Sequence, residues 1–293
     1  MSLKERFVDI YDKHYKQLMI LPVVLLVLAF IQIGYQVATT GNFVNLGVSL
    51  KGGSVITVLQ PIDIPELQAV LTKEFVEFSP TVRGILDSNK IIGATIESAA
   101  QQDDVEDILT YLKQTGIKED VITIEITGAA LGQQFFSQAI RAMLVAFILM
   151  AIVVFCYFRT IVPSIAVVVA AFSDIIETIA IFNLLGMSLS TAGIAALLML
   201  IGYSVDTDIL LTSRVLRRTE GTVLERVFGA MRTGNTMIFT SVIAVVAGLV
   251  FTNSEVIRQI MVILLIGLLL DVINTWIQNA GFLRLYLERK HAP

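Results

Sequence analysis

The sequence predicts an α-helical polytopic membrane protein: a six-helix bundle with one ferredoxin-like βαββαβ external domain after its first span. Three observations predict it. Only 16% of the 293 residues are charged and 55% are hydrophobic, whereas a soluble domain carries about 25% charged residues. Six stretches, at 18–38, 138–158, 161–183, 188–213, 236–252 and 256–283, are mostly apolar and near the ~20 residues a spanning helix needs. The segment 41–137 is different: it holds 6 Lys+Arg and 13 Asp+Glu, net -7 within a chain whose total is -4. These proportions exclude an ordinary soluble globule and a disordered scaffold. One cysteine, Cys156, and two histidines, His14 and His291, exclude a disulfide framework and a Cys/His metal cluster. No metal or cofactor is expected. No basic tract points to nucleic acid.

The first span follows Lys4, Arg6, Lys13 and Lys16, as a signal peptide would. Its exit, Gln36-Val37-Ala38-Thr39, lacks the small-x-small cleavage pattern, so the segment reads as an uncleaved anchor. Lys and Arg near span ends set orientation. They gather at the N-terminus, at Arg159, between spans four and five (Arg214, Arg217, Arg218, Arg226, Arg232) and at the C-terminus (Arg284, Arg289, Lys290). With six spans, all these ends lie on one side. Both termini are therefore expected in the cytoplasm of a multi-pass plasma-membrane protein. The division is then 1–40 for the N-terminus and first span, 41–137 outside, and 138–293 for spans two to six. Residues 214–233 mix polar and apolar positions and predict an amphipathic helix on the cytoplasmic surface.

Within 41–137, Leu46–Leu59 reads as a strand broken at Gly52-Gly53. Asp63-Ile64-Pro65-Glu66 opens a helix, with Asp63 as cap. Thr81–Leu86 and Ile91–Ile96 form a hairpin across Asp87-Ser88-Asn89-Lys90. Ser98-Ala99-Ala100-Gln101 resembles a capping box for a second helix, stopped at Gly116. Val121–Thr127 alternates, with Ile122, Ile124 and Ile126 on one face. This βαββαβ order is the split ferredoxin-like motif, with one sheet face or an edge free for a partner. The acids Glu66, Glu74, Glu77, Asp103, Asp104, Glu106 and Asp107 read as solvated helix faces.

Polar groups inside the spans carry the functional signal, since an Asp or Arg at a helix centre costs about 2.5–3.5 kcal/mol. Asp174 and Glu177 share a face of the third span, three residues apart. Asp206 and Asp208, on the fourth, point roughly 200° apart, so both face the interior only if that helix is enclosed or locally unwound. Asp271 lies mid-way along the sixth span, with Asn274 a turn on. Arg214 ends the fourth span within reach of Asp208. Three readings compete: the groups tie helices together, they take up and release protons in a transport cycle, or two aspartates form an intramembrane protease. The protease reading lacks the Gly-x-Gly-Asp sequence of intramembrane aspartyl proteases, and no span holds a His. No enzyme activity is expected. Ala192, Gly193, Ala195 and Ala196 on the fourth span, and Ala244 with Gly248 on the fifth, allow close helix packing.

Two stretches carry a resemblance. Gly47-Val48-Ser49-Leu50-Lys51-Gly52-Gly53 resembles the Gly-x-Asp-x-x-Gly-Gly signature of the SecD/SecF protein-export family. Gly202-Tyr203-Ser204-Val205-Asp206-Thr207-Asp208, followed by Arg214, resembles that family's fourth-span motif, Gly-Tyr-Ser-Ile-Asn-Asp-Thr with an Arg after it. The small external domain is similar to the SecF branch, since SecD has a larger one. Ser49 stands where the first motif has Asp, Asp206 where the second has Asn, and Thr207 where it has Asp; Asp-Thr-Asp resembles an archaeal-type sequence. Asn235 and Thr236, one turn after Arg232, stand where the bacterial family has an Arg. The resemblance implies an RND-type half-bundle that assembles with SecD, assists unfolded polypeptides through the Sec translocon channel, and couples to the proton-motive force. The relay candidates are Asp206 or Asp208, with Asp174, Glu177, Asp271 and Arg214; Asp206 is expected to titrate while Arg214 holds Asp208 in an ion pair. Membrane lipids surround it. The alternatives are an RND-type exporter half-unit for small molecules or lipids and a non-energised Sec assembly factor.

Overall fold

The computed structural model describes residues 8, 11–87, 90–218, 220–252 and 254–290. Six helices are long and apolar enough to cross a membrane: α1 (Tyr15–Thr40), α5 (Ala129–Phe158), α6 (Ile161–Leu184), α7 (Thr191–Arg217), α8 (Val223–Phe251) and α9 (Glu255–Lys290). They enclose one another unequally. The apolar stretches of α6 and α7 are 67% and 56% buried, those of α1 and α5 only 11% and 6%. So α6 and α7 form the centre and α9 packs against both, around Val167, Ile175, Leu197, Leu200, Ile263 and Leu268.

Between α1 and α5 stands a four-stranded antiparallel sheet in the order β2-β3-β1-β4, with β1 (Gly53–Val58), β2 (Thr81–Asp87), β3 (Lys90–Ser98) and β4 (Ile122–Thr127). Helices α3 (Ile64–Glu74) and α4 (Gln102–Gln114) cover one face. Ile56 pairs with Ile96 on one side and Ile124 on the other. Ile56 and Ile96 meet Leu71, Ile108 and Leu112 in a core of its own. The expected βαββαβ order is present. Asp63 caps α3 by accepting from the Glu66 amide at 3.2 Å. Gly116 takes a left-handed φ of 90° just past α4. The hairpin residues Ser88 and Asn89 lie outside the described residues.

Four local readings are corrected. The first half of Leu46–Leu59 is not strand: Val48–Lys51 is a helical turn, α2, because Leu50 turns into the bundle core. Gly52 and Gly53 then reverse the chain at φ 88° and 129°. A Cβ on Gly53 would lie 2.2 Å from Ser98 O, and one on Gly52 2.4 Å from Ala129 Cα. The second helix is capped by Gln101 with Asp104, not by Ser98; Ser98 ends β3, and its hydroxyl pairs with that of Ser54 at 2.7 Å. The alternation of Ile122, Ile124 and Ile126 on one face stands, opposite Val58, Ile56 and Ser54, although Ile124 and Ile126 remain 40% and 42% exposed because β4 is an edge strand with a neighbour on one side only. Residues 214–233 are not a separate surface helix. They finish α7 and begin α8, since Thr222 and Glu225 form a capping box and Val227 and Ala230 bury against Leu211, Trp276 and Leu283. The expected boundary at 137/138 also falls inside α5.

A polar strap joins the sheet to the ends of α7 and α9 that lie nearest it. Arg83 donates to Ser188 Oγ at 2.9 Å and lies 3.6 Å from Glu97 and 3.8 Å from Glu255. Gln259 donates to Ser188 O and accepts from the Ser190 amide. The Gly47 amide donates to Leu189 O at 2.8 Å, and the Thr191 amide to Ser49 Oγ at 3.2 Å. At the opposite end of the bundle, Asp12 pairs with Arg284 at 2.5 Å and Lys16 with Glu288 at 3.4 Å.

A buried carboxylate cluster as the candidate functional site

Three helices bring four acids into the interior. Helix α6 supplies Asp174 and Glu177, α7 supplies Asp208, and α9 supplies Asp271; the exposure of each is 2% or less. Asp174 and Glu177 point inward together because three residues make nearly one helical turn. Asn274 donates to Asp174 Oδ1 at 2.8 Å and to Glu177 Oε2 at 3.0 Å. Ser204 donates to the other Asp174 oxygen at 2.5 Å. Asn279 donates to Asp208 Oδ1 at 2.7 Å. The Thr275 hydroxyl stands 3.0 Å from Asp208 Oδ1 and 2.8 Å from Asp271 Oδ1.

The carboxamide and hydroxyl partners come from one local feature. Residues Asn274–Asn279 form a π-helical turn inside α9, a widening that is frequent at functional sites. It keeps Asn274, Thr275, Gln278 and Asn279 all buried. Gln278 donates to Ser173 Oγ at 3.3 Å. Of these polar residues the sequence reading singled out Asn274 alone. The signal for the rest was there: four amide or hydroxyl side chains at positions 274, 275, 278 and 279 of an apolar span, the spacing of one helix face.

Among the described residues, no Lys, Arg or His forms an ion pair with any of the four acids. Glu177 Oε1, Asp208 Oδ2 and Asp271 Oδ2 are buried with no hydrogen-bond partner there. Two expectations are therefore corrected. Arg214 does not hold Asp208: its guanidinium donates to Gly229 O instead, because the helix turns it toward α8. And Asp206 does not join the cluster. It is exposed, since residues two apart on a regular helix point to opposite sides. Asp206 lies instead on a stripe of exposed residues along α7 with Ala195, Met199, Gly202 and Tyr203. The neighbouring α8 exposes Arg232, Asn235, Thr236 and Thr240. So the 202–208 motif splits: Ser204 and Asp208 face in, while Gly202, Tyr203 and Asp206 face out. Gly47, Gly52 and Gly53 of the first motif lie at the junction of domain and bundle.

Comparison with known proteins agrees with this architecture. The family described as "Protein export membrane protein SecD/SecF, C-terminal" matches residues 107–289. The protein-export membrane protein SecF of Pyrococcus furiosus is 42% identical over 98% of this chain and 96% of its own length. That of Methanolacinia petrolearia is 39% identical over 96% and 97%. In fold, the chain superposes on a crystal structure of SecDF, a translocon-associated membrane protein from Thermus thermophilus, with a TM-score of 0.77 at 19% identity. The match covers 94% of this chain but only 38% of that longer one. The chain is a multi-pass membrane protein and belongs to the SecD/SecF protein-export family.

Proposed function

We propose that this chain is the SecF-type half of a SecD/SecF assembly that assists polypeptide export through the Sec channel, coupled to the proton-motive force through its buried carboxylates. One observation carries the coupling. Asp174, Glu177, Asp208 and Asp271 are packed together, buried, and without a cation among the described residues. Burying several like charges unpaired is prohibitive, so proton uptake is the chemistry this set of groups offers. A proton crossing the potential supplies about 2.3 kcal/mol per 100 mV, and each uptake or release changes which helix arrangement is cheapest. Movement reaches the external domain along two routes, one covalent and one hydrogen-bonded. Helix α5 follows β4 across Gly128, and the Arg83–Ser188–Gln259 strap ties the sheet to α7 and α9.

The exposed motif residues support a SecD-type partner. A carboxylate facing hydrocarbon costs about 2.5–3.5 kcal/mol. Asp206 on α7, and Asn235 and Thr236 on the neighbouring α8, are all exposed and are best covered by a second half-bundle. The Lys/Arg bias supports termini in the cytoplasm and the sheet domain outside the plasma membrane.

The test uses membrane vesicles holding the complete assembly. A proton ionophore should slow export by wild type, and Asp208→Asn should reduce export to that uncoupled level. Export indifferent to the gradient would refute the coupling and leave the assembly-factor reading. Affinity capture from native membranes should recover a SecD-like chain and Sec channel subunits; an RND-type exporter half would recover neither.

A further inference from the structure

Thr275 touches two aspartates at once, through Asp208 Oδ1 at 3.0 Å and Asp271 Oδ1 at 2.8 Å. A threonine hydroxyl has one hydrogen to donate. It serves one of these oxygens, and the other contact is attractive only if that carboxyl itself donates. Asn279 decides which. Its Nδ2 donates to the same Asp208 Oδ1 at 2.7 Å, which marks that oxygen as an acceptor. Thr275 then donates to Asp208, and Asp271 Oδ1 holds the proton and donates to Thr275 Oγ1.

We infer that Thr275 is a hydroxyl bridge that passes a proton between Asp271 and Asp208. The inference rests on the proton-coupled reading above and names the path within it. The step balances. Asp271 Oδ1 gives its proton to Thr275 Oγ1 while Oγ1 gives its own hydrogen to Asp208 Oδ1. Thr275 stays neutral with one hydrogen, and the negative charge moves from α7 to α9. The reverse step restores the start.

The surroundings favour this pair over the other acids. Asp174 accepts at both oxygens, from Ser204 and Asn274, so both of its oxygens are already engaged. Glu177 shares the Asn274 amide, and an amide does not relay protons as a hydroxyl does. Thr275 joins two carboxyls by short contacts at both, 3.0 Å and 2.8 Å, whereas Ser204, which also faces Asp271, makes its short contact to Asp174. The π-helical turn sets it there: Thr275 lies four residues after Asp271 and four before Asn279, so all three reach the same side of α9.

The test uses the full chain in vesicles with its assembly. Thr275→Val keeps the shape and removes the hydroxyl; Thr275→Ser keeps the hydroxyl. Thr275→Val should lower gradient-dependent export by about 10²-fold, while Thr275→Ser restores it to within about threefold of wild type, the range expected when a positioned proton carrier is lost or kept. Infrared spectroscopy of the purified chain gives a readout independent of export. One component of the carboxylic-acid carbonyl band should persist in Asp208→Asn and be lost in Asp271→Asn. Gradient-dependent export at the wild-type rate in Thr275→Val overturns the bridge, and a component lost in Asp208→Asn but kept in Asp271→Asn overturns the proton's position. If wild-type export ignores the gradient, the coupling fails instead, and the infrared result still decides where the proton sits.

Discussion

Asn274 and Asp174 are 100 residues apart in sequence and 2.8 Å apart in the bundle. With its second amide hydrogen Asn274 also holds Glu177, so one side chain of α9 fixes both acids of α6. The next residue, Thr275, contacts the acids of α7 and α9. Two consecutive residues thus organise all four carboxyls.

Removing that amide should loosen the bundle. Asn274→Ala strips donors from two buried acids, and an unsatisfied buried polar group costs about 1–3 kcal/mol. A lowered melting temperature in detergent is expected; a melting temperature equal to wild type would mean the two acids have other partners.

The two motif aspartates should separate by phenotype. Asp208→Asn should abolish gradient-dependent export with the protein still inserted, because the amide cannot carry the charge. Asp206→Asn should leave that dependence largely intact and weaken copurification of the partner half, because Asp206 is exposed on α7. Equal loss of gradient dependence in both would return Asp206 to the relay.

Gly53→Val should unfold the sheet domain or detach it. Gly53 sits at φ 129°, where a side chain is strained, and a Cβ would press on Ser98 O. Strained backbone of this kind costs about 1–3 kcal/mol before the clash is counted. Protease sensitivity confined to the sheet domain is the measurement; resistance equal to wild type refutes it.

Glu97 predicts a pH dependence of stability. Burial raises its carboxyl above the usual 4.5, with the Arg83 guanidinium opposing and Glu255 adding to the rise. The folded chain therefore holds this proton more tightly than the unfolded one. That contribution is complete below pH 4.5 and is lost as pH rises through the folded value. Glu97→Gln should flatten the decline of melting temperature above this point; an unchanged slope would assign it to other groups.

Topology is checked at Asp103, exposed on α4. In a background lacking Cys156, Asp103→Cys should react with an impermeant thiol reagent in intact cells. Labelling only after lysis would invert the orientation.

Composition and hydropathy sufficed for the six spans, because an apolar stretch of spanning length has few other places to go. Alternation and caps sufficed for the βαββαβ order, because strand and helix periods are local properties. The same local rules show that Asp206 and Asp208 point apart, and that Asn274, Thr275, Gln278 and Asn279 share a face. They do not show which face is inside. That was decided by packing: α6 and α7 are enclosed and α8 is not, so Asp208 meets Thr275 while Asp206 is left outside. Likewise the Gly52-Gly53 pair reads as a break in any strand, but only the close approach of Ala129 and Ser98 gives the reason, since contacts between distant segments leave no periodic trace in the chain.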